Sequence, residues 1–226
     1  MSLHTFMIGE PIFYGVLLVP SGLLAKRHGK PGYLGWGLAT LLCMMHTIGG
    51  AMLLTGTRHA MSVLNSCAGI LLLASCGLWW EANHHLESLN MVGKVKVAVI
   101  HLLILSGTAM MVMDIRTLSG QMKTNIACAC WGIAWLAAFV QAICSMKAQG
   151  FGFGEPAQKL LTAATFGSVC AGVRIIYTVL ARTRMVYGLH PRGGSITMTL
   201  SCVLLPEALA TLFFVVVGAM TRGIGG

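Results

Sequence analysis

The sequence predicts an all-α fold, an integral membrane bundle of seven transmembrane helices forming one domain over residues 1–226, on three observations. Its composition suits lipid: 56% of the 226 residues are hydrophobic and 9% charged, where soluble chains run near about 25% charged; mean hydropathy is +0.80. Apolar runs of about 20 residues, the length that crosses ~30 Å of hydrocarbon, recur along the chain. The basic residues behind the net charge of +9 are scattered over short connections instead of lining a stripe. That pattern excludes nucleic acid as the expected partner and leaves headgroups and topology.

Taken in order, helix 1 is expected from about Phe6 to Ala25, with Pro11 near its start, Pro20 inside it and the basic run KRHGKPG closing it. Helix 2 spans about Tyr33 to Leu54 and holds His46 and the pair Gly49-Gly50. Helix 3, Met61 to Trp80, carries Asn65 and ends on Trp79 and Trp80, which suit a headgroup-level aromatic belt. The stretch EANHHLESLNMVGKVK reads as a polar loop. Helix 4 runs from about Val97 to Met113 and stops at Asp114. Helix 5 covers Asn125 to Met146, helix 6 Leu160 to Ala181, and helix 7 Ser195 to Met220.

An odd number of crossings puts the termini on opposite sides, and the balance of Lys and Arg over the connections favours a cytoplasmic C-terminus. No cleavable signal is expected, since Glu10 interrupts the first apolar run and no basic residue precedes it; a retained first helix fits the endoplasmic reticulum. The eight cysteines all fall in apolar stretches without a C-x-x-C, and read as small core hydrophobes. Small residues recur, as in GGAM and CAGILLLASCG, and let helix backbones approach closely.

Two ionisable residues lie where lipid should forbid them: Arg174 in helix 6 and Glu207 in helix 7. A charge at mid-bilayer costs about 3 kcal/mol even on the lenient insertion scale, so such residues face inward and find partners. Pro206, lacking an amide hydrogen, should kink helix 7 and free a carbonyl near Cys202. Tyr177 lies three residues beyond Arg174, on the same helix face. Arg174, Tyr177 and Glu207 are therefore expected in one buried polar pocket. The bland alternative is an ion pair that only fixes helix 6 against helix 7.

Two further acids are candidates at the membrane edge. Glu10 precedes Pro11 one turn below Tyr14, and its simplest reading is an exposed first-turn acid favoured by the helix dipole. Asp114 ends helix 4 two residues before Arg116, either as an interfacial pair or as an acid at a pocket mouth. His46 and Asn65 are candidate pocket groups; Trp79, Trp80 and Phe213 offer aromatic faces. Glu81, His84, His85 and Glu87 read as a solvated loop in preference to a metal cluster.

Several stretches resemble a family of small seven-helix membrane proteins found in fungi: FYGVLLVPSGLLAKRHGKPGYLGWGLATLLCMMHTIGGAMLL, AGILLLASCGL, VRIIYTVL and LLPEALATLFFVVVG. That resemblance implies that Arg174, Tyr177 and Glu207 belong to the family pattern, while His46 stands where the family carries arginine. The layout is also similar to the fungal membrane-bound terpene cyclases of meroterpenoid pathways, small seven-helix proteins with buried acids on different helices. This likeness implies an isomerase that cyclises a prenylated or epoxidised, lipid-dissolved substrate in secondary metabolism, with Glu207, Asp114 or Glu10 as acid. A carboxyl buried in an apolar site can stay protonated near neutral pH and donate to an epoxide or alkene. Aromatic faces stabilise the resulting cation. No cofactor and no metal is required. The competing expectation is a sensor or lipid-handling protein whose pocket binds a ligand without changing a bond.

Overall fold

The computed structural model describes residues 3–57, 60–86, 91–112, 120–149, 155–183 and 196–221, all but short connections of them helical. The helices are α1 (Leu3–Arg27), α2 (Gly29–Leu54), α3 (Ala60–His85), α4 (Met91–Val112), α5 (Gly120–Gln149) and α6 (Pro156–Thr183). The seventh, α7, is continuous but built of three pieces: an α-helical Ile196–Thr199, a π-helical Leu200–Leu204 and an α-helical Leu205–Met220. Six helices are long and apolar enough to cross a membrane, and α4 carries a shorter apolar stretch, Val95–Met110. The chain is thus a multi-pass membrane protein. Its outward faces agree: Val16, Val19 and Leu102 are each more than 60% exposed, which only a lipid surface tolerates so widely.

The packing has a simple plan. α1 packs on α2, α2 on α3, α3 on α6, α6 on α7 and α7 back on α1, a closed circuit of five helices. The α4–α5 hairpin lies outside that circuit, against α3 and α6. α3 is the central rod, with 72% of its apolar window buried against 28% for α1 and α5. Its small residues allow this. Gly77 of α3 meets the backbone of Gly35 of α2 so closely that a Cβ on Gly35 would stand 2.8 Å from the Leu78 amide nitrogen. Trp36, Leu42, Leu71, Leu72, Leu78 and Phe214 fill the interior around that crossing.

Three departures from the expected boundaries bear on function. α3 does not stop at Trp80 but continues through Glu81 to His85, so that part of the stretch read as a solvated loop is buried helix. α1 begins well before Glu10, which places this acid inside the helix and not at an exposed first turn. The expected kink at Pro206 takes the form of a π turn just upstream. Without the proline N–H the α ladder cannot be completed there, and the Leu205 amide instead donates to the Leu200 carbonyl five residues back. All eight cysteines are free, five of them buried.

Candidate functional site

Each helix of the five-membered circuit sends polar groups to one buried cluster. From α1 comes Glu10, with Tyr14 one turn further on the same face. From α2 comes His46, from α3 Asn65, from α6 Arg174 and Thr178, and from α7 Glu207. His46 is the centre: its Nδ1 lies 2.8 Å from Glu10 Oε1, its Nε2 3.1 Å from Glu207 Oε2. The first contact has hydrogen-bond geometry. The second is an ion-pair approach out of alignment, and His46 Nε2 and Glu207 Oε2 find no hydrogen-bond partner among the described residues. Tyr14 lies flat on the imidazole, with ring centroids 3.9 Å apart and planes 7° from parallel. Cys67 of α3 also touches the imidazole.

Glu207 is held from the other side. Arg174 Nε donates to Glu207 Oε1 over 3.1 Å, with both side chains almost wholly buried. The rest of the guanidinium is spread over α3 and its own helix: Nη1 donates to Thr178 Oγ1 at 3.1 Å, and Nη2 reaches Asn65 Oδ1 at 3.4 Å and the Leu64 carbonyl at 3.5 Å. An arginine in hydrocarbon needs such a fan of acceptors, since each unanswered N–H is costly.

The result is a linear array, Glu10–His46–Glu207–Arg174, of two acids and two bases. With His46 protonated and both carboxyls ionised its net charge is zero. Moving that proton across 2.8 Å onto Glu10 leaves the net charge still zero. The array can therefore hold one labile proton at its Glu10 end without creating an unpaired charge in the apolar interior.

That end meets open space. A cleft of about 240 Å³ runs between α1 and α7, lined by Gly9, Glu10, Phe13 and Tyr14 on one wall and Leu200, Leu204, Leu205 and Ala208 on the other. The π turn supplies two of those leucines, Leu200 and Leu204. Apart from Glu10 the lining is hydrocarbon, the Tyr14 hydroxyl itself being buried. Glu207, 0% exposed, lies behind His46 and reaches the cleft only through the array.

The residues singled out from sequence fall into three groups. Glu207, Arg174, Glu10, His46 and Asn65 come together as one cluster. Tyr177 does not join them: its hydroxyl pairs with Thr199 Oγ1 at 3.3 Å, tying α6 to the first turn of α7. Trp79 donates to Ser145 on α5, Trp80 packs partly buried against the core, and Phe213 packs on Phe166 with centroids 4.9 Å apart. None of these three lines the cleft. Asp114 lies outside the described residues.

Sequence reasoning missed Tyr14 as the imidazole's stacking partner and Thr178 as an arginine acceptor. The i,i+4 spacings Glu10–Tyr14 and Arg174–Thr178 were the available signals. It also missed a second buried acid. Glu81, read as solvated, is 0% exposed and paired with His28.

The family whose description reads "Domain of unknown function (DUF7702)" matches residues 2–224, and the chain belongs to it. No curated protein and no solved structure matches the chain.

Proposed function

We propose that this member of the DUF7702 family is a cofactor-independent membrane isomerase that takes a lipophilic substrate into the α1–α7 cleft and transfers a proton to it from Glu10. The observation that carries the reading is the Glu10–His46–Glu207–Arg174 array ending at a cleft walled by hydrocarbon. A substrate dissolved in the bilayer enters sideways, and the apolar walls keep water from quenching a cation. Glu10 donates its proton to an alkene carbon or an epoxide oxygen. The carbocation formed is faced by the rings of Phe13 and Tyr14, and an internal double bond closes a ring on it. Loss of a proton to the Glu10 carboxylate ends the reaction. Proton in and proton out balance, so substrate and product are isomers. A prenylated or epoxidised terpenoid, of the meroterpenoid type, has the required chemistry. The fungal endoplasmic reticulum is the proposed setting.

Before substrate enters, His46 and Glu10 share the labile proton, and Glu207 with Arg174 holds the imidazole in register. General acid–base catalysis of this kind is worth about 10²–10⁴ in rate. Purified protein in lipid nanodiscs, incubated with an epoxidised farnesyl-aromatic compound and read by mass spectrometry and NMR, is expected to give a cyclised isomer. Glu10→Gln should lose at least about a hundredfold of that rate. Full turnover by Glu10→Gln would refute the role of Glu10.

Two observations favour a second reading, a binding protein that changes no bond. The four groups of the array already compensate one another, and a cleft of about 240 Å³ is below the usual range of roughly 300–1,000 Å³ for small-molecule sites. Saturable binding of the same compounds without any product would decide for it.

A further inference from the structure

The second buried acid sits at the far end of the bundle from the cleft, where α1 turns into α2. Glu81 Oε1 lies 2.6 Å from His28 Nδ1, and Glu81 Oε2 accepts a hydrogen bond from Trp36 Nε1 at 2.9 Å. The other ring nitrogen, His28 Nε2, stands 3.3 Å from the Gly218 carbonyl, in the last turn of α7. That carbonyl is among those a helix C-terminus leaves without an intrahelical partner; Thr221 Oγ1 is its other donor, at 3.3 Å. His28 is the hinge residue itself, followed by Gly29 at φ 64°, and is only 4% exposed.

A neutral imidazole has one N–H and can donate once. Here both ring nitrogens face acceptors, a carboxylate and a main-chain carbonyl, and a positive ring is also what a helix C-terminus favours. We infer that His28 is a proton-dependent clasp: as an imidazolium it ties the α1–α2 corner to α3 through Glu81 and to the end of α7 through Gly218, and loss of its proton as pH rises releases α7. Deprotonation removes one of the two hydrogen bonds and leaves Glu81 as a buried carboxylate without its cation. The segment Leu205–Met220 is unbroken helix, so the clasp and the cleft wall at Leu205 and Ala208 belong to one rod. The inference does not depend on what the cleft binds.

The groups facing His28 are few. From α3 come Glu81 and, 4.0 Å from Glu81 Oε1, His85 Nε2, with His84 stacked edge-on beyond it. From α2 comes Trp36, whose ring is 4.8 Å away; Lys30 is exposed, as are Lys26 and Arg27 at the end of α1. The turn of α7 from Val217 to Thr221 has no titratable side chain. Burial works against the charged ring, but the hydrogen bond and charge of Glu81, with the Gly218 carbonyl, prevail and raise its pKa above 6.5.

The test uses the full chain in nanodiscs, with isotope-labelled histidine for NMR and spin labels on unnatural residues at the exposed positions Arg27 and Met220. Both His28 ring nitrogens should be protonated at mildly acidic pH, and the ring should lose its proton in one step centred above pH 6.5. Over the same interval the distance distribution between the labels should broaden. In Glu81→Gln the pH-dependent broadening should vanish. A His28 ring that carries a single proton already below pH 6.5 overturns the inference. So does a titrating ring with an unchanged label distance, which would make the pair a static salt bridge. The wild-type titration is decisive by itself should the variant not fold.

Discussion

Arg174 and Glu207, thirty-three residues apart in sequence, meet through a single 3.1 Å hydrogen bond in a part of the bundle closed to both water and lipid. Removing one partner leaves the other as an uncompensated charge in hydrocarbon. Arg174→Met is therefore expected to destabilise the protein by about 3–5 kcal/mol, whereas Arg174→Met combined with Glu207→Leu should recover most of that loss. The double variant stays balanced because His46 keeps Glu10 as its counter-charge. Denaturant unfolding in mixed micelles measures both. Equal damage from the single and double variants would show that the pair is not held by mutual compensation.

Tyr14 makes a prediction of opposite kind. Its hydroxyl is buried without a hydrogen-bond partner among the described residues, while its ring is stacked on His46. Tyr14→Phe keeps the stack and removes the unanswered hydroxyl, so stability should be unchanged or rise by up to about 1 kcal/mol. Tyr14→Leu should cost about 0.5–1.5 kcal/mol in lost ring–ring contact beyond its change in buried area. A loss of activity in Tyr14→Phe at undiminished stability would place the hydroxyl in the reaction.

The pH dependence of stability follows from His28. Its pKa is raised in the folded protein, so the contribution of the His28–Glu81 pair is complete below pH 6.5 and lost as pH climbs through the folded-state value. The melting temperature of the wild type should exceed that of His28→Gln by most at mildly acidic pH, and the gap should close as pH rises through the folded-state value. A gap that widens as pH rises would contradict the sign of the linkage.

The α2–α3 crossing is the most sterically exacting contact in the bundle. A Cβ on Gly35 would meet the main chain of Gly77 and Leu78 at under 3 Å, and backbone cannot step aside as a side chain can. Gly35→Val should cost at least the ~1–3 kcal/mol typical of overpacking, with loss of folded yield. Gly37, which has nothing within 4 Å of its would-be Cβ, is the control: Gly37→Ala should be neutral or stabilising by helix propensity.

The helices were legible because length and apolarity are written locally. Arg174 and Glu207 were legible for the same reason, as charges inside such runs. What sequence did not convey was compensation across the chain. Trp79-Trp80 followed by a glutamate has the form of a membrane exit, and it is His28, fifty-three residues earlier, together with Trp36 that lets Glu81 continue as buried helix. Glu10 was misjudged likewise, because its partner His46 is on another helix. Tyr177 shares a face with Arg174 by spacing, yet the two stand about 60° apart round the helix, and its hydroxyl meets Thr199. No local pattern encodes that outcome.

The π turn of α7 has a further consequence. Such a turn is one residue more than an α-helix would use, and each residue advances a helix by about 100°. Residues 205–220 thus owe their azimuth to that surplus residue. Drawing Leu200–Leu204 into regular α-helix with no residue removed would swing Glu207 by roughly a quarter turn away from Arg174 and His46, and Gly218 away from His28 by the same amount, whereas excising one of those residues as well would cancel the swing. One surplus residue taken up in a leucine-rich stretch thus sets the phase of both polar centres at once.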